Sequence, residues 1–224
     1  MKYVKDFYFN FTSYLKDPQN GLLTDMILLS RTASFESWVQ EQMYLYFEKH
    51  FRSKWELTEI IEGDSCYSYS LTREQKDESR EKRHMRDLHF RYWDKNESHL
   101  LGSIELKLIY AHYSESQFNE KKEEILNQVD GKSVAGIVFG IDLGENEAHN
   151  DQLCNYMKFF WEGETKGNII AHNRRQIIVN DENIVEAALS LIPPEYNGKE
   201  KRKRLEIKNL RIYSMLITCK QDKE

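Results

Sequence analysis

The stretch that most constrains the fold is a predicted β-hairpin at residues 86–110. Each arm alternates apolar and polar residues with the two-residue period of a half-buried strand. On the first arm, Leu88, Phe90 and Tyr92 alternate with Asp87, His89 and Arg91. On the second arm, Ile104, Leu106 and Leu108 alternate with Ser103, Glu105 and Lys107. The polar residues 94–98 between the arms predict a turn.

The register of this hairpin brings two carboxylates together. With the turn centred on Asn96, Asp87 lies opposite Glu105, and directly opposed residues have Cβ atoms about 5 Å apart. Because like charges placed this way repel, a divalent cation between them is one reason for the pair, since Mg²⁺ prefers hard oxygen ligands. Lys107 projects from the same face. A solvated sheet face with charges pointing at water is the alternative interpretation.

These residues also carry a family resemblance. Asp87 in R-D-L-H-F, followed after a hairpin by Glu105 and Lys107 in I-E-L-K-L, resembles the core of the PD-(D/E)XK nuclease superfamily. The residue before the aspartate is Arg86, where the family's name has proline. The resemblance implies an α/β chain with a mixed sheet and a restriction-endonuclease-like αβββαβ core. It also implies a deoxyribonuclease that uses Mg²⁺, with Mn²⁺ as a substitute.

The resemblance further implies roles for individual residues. Asp87, Glu105 and Lys107 would be catalytic. Asp87 and Glu105 would hold the metal ion, with the Leu106 carbonyl and Glu36 as further ligands. Lys107 would position the attacking water or help to deprotonate it.

The best-defined helix is predicted at residues 34–51. Ser34 is a plausible N-cap, and Glu36 lies in the first turn, where the helix dipole favours negative charge. In nucleases of the resembled family, the helix before the sheet often adds a glutamate to the metal site. Glu36 is the candidate by position, and Glu41 stays open as the other. A surface glutamate favoured by the dipole is the alternative interpretation.

The order of predicted elements indicates a nuclease-like core at residues 34–143. Strands are predicted at residues 55–61 and 66–71, a helix at 116–129, and a nearly continuous apolar strand at 134–143. Such an apolar strand is typical of parallel sheets covered on both faces. Residues 1–33 are predicted to form an N-terminal extension that packs on the core.

Residues 144–224 are predicted to complete the same domain with helices and strands. The predicted segments are a helix that ends near Trp161, a strand at 168–179, a helix at 183–191 and a strand at 205–219. This region adds no recognised catalytic motif of its own.

Basic residues beside the predicted site are candidates for contacts with nucleic acid: Arg83, Arg86, His89 and Arg91. The charged run at residues 72–86 becomes basic in its second half and leads directly into Asp87. A solvated loop is the alternative. The net charge of −5 argues against a protein that coats DNA nonspecifically. It leaves open a nuclease with local basic patches.

Composition predicts a globular cytoplasmic protein. Its 224 residues are 40% hydrophobic, and no apolar run approaches the length of a membrane span. Three widely spaced cysteines without a C-x-x-C motif indicate reduced thiols. The first residues do not resemble a signal peptide. The expected partner is DNA rather than a membrane, and either a homodimer or a pairing with another subunit stays open.

The sequence thus supports one main function and leaves two rivals. The main hypothesis is metal-dependent hydrolysis of phosphodiester bonds in DNA, in restriction or anti-phage defence. The first rival is a catalytically inactive member of the same fold that serves as an interaction or nucleic-acid-recognition subunit, which the acidic net charge and the missing proline favour. The second is an unrelated α/β domain whose E-L-K motif is accidental.

Overall fold

The computed structural model describes the helices and strands of the chain together with some of their connections. The described residues are 2–30, 34–52, 67–76, 85–94, 97–129, 134–143, 147–161, 169–179 and 210–219. The strand predicted at residues 55–61 and the helix predicted at 183–191 lie outside these residues.

Along the chain, three described helices come before the first strand of the sheet, and two more connect later strands. They are α1 (Lys2–Lys16), α2 (Leu22–Leu29), α3 (Phe35–Tyr46), α4 (Glu115–Val129) and α5 (Glu147–Trp161). A 3₁₀ turn at Pro18–Asn20 joins α1 to α2, and a π-helical turn at Phe47–Phe51 extends α3. The helices predicted at residues 34–51 and 116–129 are therefore confirmed.

Six strands of the described residues form one mixed sheet in the order β1-β2-β3-β4-β6-β5. The strands are β1 (Tyr67–Lys76), β2 (Met85–Asp94), β3 (Glu97–Tyr110), β4 (Val134–Asp142), β5 (Ile169–Val179) and β6 (Arg211–Cys219). Strands β3 and β4 are parallel, and every other neighbouring pair is antiparallel. The chain is thus a mixed α/β protein, as predicted, and its described elements include the series α3-β1-β2-β3-α4-β4.

The connection inside the hairpin is shorter than predicted. Strand β2 continues to Asp94, strand β3 starts at Glu97, and these two residues are paired. The predicted five-residue turn at 94–98 is therefore wrong, because its outer residues belong to the strands.

A β-bulge restores the predicted register farther from this turn. The pairing shifts between Phe90 and Arg91, where β3 contributes one extra residue. Beyond the shift, Leu88 pairs with Ile104 and His89 pairs with Ser103. This is the register predicted for a longer turn, so the bulge compensates for the tighter connection.

Helices cover both faces of the sheet. On one face, α1 to α3 enclose a core with the inward residues of β2 and β3, which include Leu88, Phe90, Ile104 and Leu106. On the other face, α4 and α5 bury a second cluster that includes Ile109, Phe118, Ile125, Val138, Leu153 and Met157. The alternation along β3 therefore assigns Ile104 and Leu106 to the first core and leaves Ser103, Glu105 and Lys107 on the α4 side.

The N-terminal extension is an integral part of the first core. Helix α1 buries an apolar stripe at helical spacing, formed by Val4, Phe7, Tyr8, Phe11 and Leu15. The Tyr8 hydroxyl and Ser214 Oγ are hydrogen-bonded at 2.9 Å, which joins α1 to the C-terminal strand β6. Both ends of the described chain thus stabilise the sheet.

Candidate functional site

The centre of the candidate site is an ion pair on strand β3. Lys107 Nζ lies 2.9 Å from Glu105 Oε1. Their side chains keep 17% and 4% of their surface exposed, respectively. Residues two apart on a strand project from the same face, so this contact follows directly from the E-x-K spacing. The predicted association of Glu105 with Lys107 is therefore present in the structure.

Close packing of α4 explains why Glu105 is buried. In the parallel pairing, Glu105 is the neighbour of Gly136 on β4. A Cβ atom added at Gly136 would lie 3.0 Å from Val129 Cγ2 and 3.6 Å from Ile125 Cγ2, both on α4. Glycine thus lets α4 approach the sheet beside the carboxylate. A carboxylate removed from water is costly unless it is paired, and Lys107 supplies the opposite charge.

The β2 arm of the hairpin approaches the same site through its backbone. The last pair in the register is Leu88 with Ile104. The predicted pair of Asp87 with Glu105 would be the next step of this register, and it stays a prediction. The side chains of Asp87 and Arg86 lie outside the described part of the structure, as does the whole of Arg83. Their roles stay predictions.

His89 and Arg91 occupy different environments. His89 is 2% exposed, and its Nδ1 lies 2.9 Å from Ser103 Oγ, its cross-strand neighbour. A buried ring reaches nucleic acid only after its surroundings move, so this placement favours a supporting role beside Glu105. Arg91 is partly exposed and pairs with Leu100 on the turn side of the bulge.

Leu106 fits the predicted site only through its main chain. Its side chain is fully buried in the core beneath α1 to α3. It separates Glu105 from Lys107 in sequence, and the alternation of the strand sends it to the opposite face.

Helix α3 brings Glu36 into the electrostatic field of the ion pair. Burial raises the pKa of this carboxyl above its usual value of 4.5, the Lys107 ammonium lowers it, and the Glu105 carboxylate raises it. The helix is oriented by Phe35 and Val39, which are fully buried in the core. Glu36 is thus the stronger candidate of the two α3 glutamates that the sequence left open.

Helix α4 adds two charged residues that the sequence did not identify. Lys121 Nζ lies 3.1 and 2.9 Å from the two carboxylate oxygens of Glu124. Their charges also act on Glu36, whose pKa is lowered by Lys121 and raised by Glu124. The spacing of three residues predicts that they meet each other on a helix, but no local pattern tells which strand they face.

Two tyrosines complete the surroundings of Glu36. Burial, followed by smaller effects of Tyr113 and Glu36, raises the pKa of Tyr110 to about 12. The Tyr110 hydroxyl donates a hydrogen bond to the Ser30 carbonyl oxygen at 3.1 Å. Burial also raises the pKa of Tyr113. Among the smaller effects on this pKa, Lys121 lowers it, while Glu36 and Glu124 raise it. Both hydroxyls therefore remain protonated at neutral pH.

The donor chemistry of this cluster fits a hard divalent cation. Its carboxylates, on Glu36, Glu105 and Glu124, outnumber its two ammonium groups. Oxygen donors of this kind are those that Mg²⁺ selects. Within the described residues, no three His, Cys, Asp or Glu side chains stand close enough together to hold a metal ion. A complete ligand set would therefore draw on Asp87 in addition to Glu105.

Comparison of the chain with family models, curated proteins and solved structures finds no match. In the part of the chain that the structure describes, no helix is long and apolar enough to cross a membrane.

The Glu105–Lys107 contact predicts strong energetic coupling between the two residues. We expect Lys107→Met to destabilise the protein by about 2 kcal/mol, less than for a fully buried pair because Lys107 retains some exposure. Adding Glu105→Gln should recover part of this loss, since it removes the uncompensated charge. Urea unfolding of both single variants and the double variant measures the coupling, for which we expect about 1–2 kcal/mol. Strictly additive effects would contradict the pairing.

The raised pKa of Glu36 predicts a pH-dependent gain from Glu36→Gln. Below the usual pKa of 4.5 the carboxyl is protonated in both the folded and the unfolded state. As the pH rises through the higher folded pKa, ionisation of the partly buried group removes stability. Glu36→Gln should therefore exceed the wild type in free energy of unfolding at pH 7, and the difference should shrink toward pH 4.

Urea unfolding at both pH values measures this difference. Glu41→Gln removes a carboxyl from the same helix and controls for the change in net charge. A Glu36→Gln variant that is less stable than the wild type at pH 7 would show that the ionised carboxylate is favoured by its surroundings.

Proposed function

We propose that the chain is a metal-dependent nuclease of the PD-(D/E)XK type that hydrolyses phosphodiester bonds in DNA. The observation that carries this proposal is the Glu105–Lys107 ion pair on β3, in a hairpin whose register reaches Leu88 opposite Ile104, one residue from the predicted Asp87–Glu105 pair. An acidic pair with an adjacent amine is the residue combination that such a reaction requires. Glu36, from the helix before the sheet, adds a third carboxyl to this group.

The element order supports the same proposal. A helix, three antiparallel strands, a second helix and a strand parallel to the third occur in the order αβββαβ. This is the arrangement that a restriction-endonuclease-like core would have. The acidic residue and the E-x-K motif lie on its second and third strands, in agreement with the sequence resemblance.

In the proposed mechanism, the carboxylates of Asp87 and Glu105 would hold Mg²⁺, with Glu36 and the Leu106 carbonyl as further oxygen donors. When bound, the ion lowers the pKa of a water molecule and neutralises charge on the reacting phosphate. The carboxylates must be ionised for this role, and the Lys107 ammonium lies 2.9 Å from Glu105 Oε1 as an opposite charge.

Lys107 has a second role at the reacting phosphate. Its ammonium carries three hydrogen-bond donors and contacts one oxygen of Glu105. In the proposed mechanism, these donors would orient the attacking water and stabilise negative charge that develops on the phosphate oxygens. Water forms a bond to phosphorus while one P–O ester bond breaks, and the proton lost by the water is balanced by protonation of the leaving oxygen.

A non-catalytic recognition subunit is the second candidate function. Within the described residues, no three His, Cys, Asp or Glu side chains could hold a metal ion together, and Lys107 contacts one oxygen of Glu105. Such an arrangement would also suit a site whose charges are used for structure or recognition. The two functions differ in whether Glu105 and Lys107 are needed for bond cleavage.

Cleavage of plasmid DNA in the presence of MgCl₂ tests the proposed function. We expect the wild type to cut the plasmid, EDTA to prevent cutting, and Glu105→Gln or Lys107→Ala to lower the rate at least about a hundredfold, since each removes a group that acts on the transition state. Asp87→Asn should have a similar effect.

The matched control is Glu97→Gln at the start of β3, where the side chain is 84% exposed. It should cut at the rate of the wild type. Cleavage that persists in both the Glu105 and the Lys107 variants would overturn the proposed site, and wild-type protein that binds DNA without cutting it in Mg²⁺ or Mn²⁺ would favour the recognition subunit.

A further inference from the structure

Two consecutive lysines of α4 lie on opposite sides of its buried stripe. Phe118, Ile125 and Val129 face the sheet and are at most 6% exposed. At about 100° per residue, Lys121 falls to one side of this stripe and Lys122 to the other. The two side chains therefore carry the same charge and belong to the same helix, but their surroundings differ.

Lys122 is held on the side of α5. Its Nζ lies 4.5 Å from the centroid of the Phe159 ring, which is a cation–π contact. It also donates a hydrogen bond to Asn119 Oδ1 at 2.9 Å. Lys122 thus contributes to the contact between the two helices.

Lys121 lies on the side of the candidate site. Its ammonium contacts both oxygens of Glu124, and about one third of each side chain is exposed. The charges of both residues act on Glu36, as do those of Lys107 and Glu105. Lys121 is therefore a second cation beside the proposed catalytic carboxylates, and its exposure makes it accessible to a substrate.

We propose that Lys121 binds a phosphate of the DNA backbone next to the cleaved bond, and that Glu124 holds its ammonium when no substrate is bound. This inference rests on the proposed function, because it assumes that the substrate passes over Glu105 and Lys107. Phosphates of one DNA strand follow each other at about 3.4 Å along the helix axis. A DNA strand positioned at the Glu105–Lys107 ion pair therefore presents its neighbouring phosphates to the residues around the site, which include Lys121.

The Lys121–Glu124 pair, of which about one third is exposed, suits an exchange of partners. Exposed ion pairs contribute little to stability, so the pair can open at low cost. The ammonium is a compact, flexible charge that can turn from a carboxylate to a phosphate oxygen. The Glu124 carboxylate repels phosphate. A DNA phosphate must therefore replace this carboxylate as the partner of the Lys121 ammonium in order to bind.

Fluorescence anisotropy with a labelled DNA duplex tests this role. Binding is measured in EDTA and in CaCl₂ at 50–200 mM KCl for the wild type, Lys121→Gln, Lys122→Gln and Glu124→Gln. We expect Lys121→Gln to raise the Kd about tenfold at low salt and to reduce the salt slope by about one. Glu124→Gln should tighten binding, because the competing carboxylate is lost.

Lys122→Gln is the matched control, since it removes the same charge from the same helix. It should leave the Kd and the salt slope close to the wild-type values. Equal effects of the two lysine variants would overturn the inference, because they would reflect net charge alone. Unchanged binding by Lys121→Gln would also overturn it.

The cleavage assay separates this inference from the proposed function. If cutting depends on Glu105 but Lys121→Gln binds DNA like the wild type, the role of Lys121 is refuted and the nuclease proposal stands. Selective loss of binding by Lys121→Gln without cutting in any wild-type sample would support the role of Lys121 and refute the nuclease. Wild-type protein that binds no duplex in either condition would overturn both.

Discussion

The structure around β3 depends on a carboxylate that is kept almost entirely from water. Glu105 is 3% exposed, and it lies beside a glycine over which α4 packs closely. A buried charge of this kind persists only with a partner, and Lys107 provides it at 2.9 Å. Because the two residues are two positions apart on one strand, their side chains project from the same face, and the contact does not depend on nearby loops. Removing either partner would leave the other charge buried without compensation.

The neighbouring charges come from three separate parts of the chain. Glu36 begins helix α3, the ion pair lies on β3, and Lys121 with Glu124 lies on α4. Each is oriented by apolar residues of its own element that pack into one of the two cores. The cluster is thus held on regular elements rather than on loops, which gives a site more precise geometry. In the proposed function, its carboxylates would bind the cation and its lysines would contact phosphate.

Local sequence patterns predicted much of this arrangement. The alternation of residues 103–109 placed Glu105 and Lys107 on one face, and the hairpin register beyond the bulge agrees with the prediction. The burial of Glu105 could not be predicted, because it arises from the packing of α4 over Gly136, which is distant in sequence. The tight connection and the bulge were also missed, since their effects on the register cancel. Lys121 was missed because the spacing of three residues predicts only that it meets Glu124 on the helix. That spacing does not indicate that the pair lies near β3.

The proposed metal site at the carboxylates around β3 can be tested by paramagnetic broadening by Mn²⁺ in an NMR spectrum of the ¹⁵N-labelled protein. At a small fraction of one equivalent, Mn²⁺ should first broaden the backbone amides of Glu105, Leu106 and Lys107, followed by that of Glu36. Glu105→Gln should abolish this selectivity. Broadening that spares these amides, or that is unchanged in Glu105→Gln, would contradict the account.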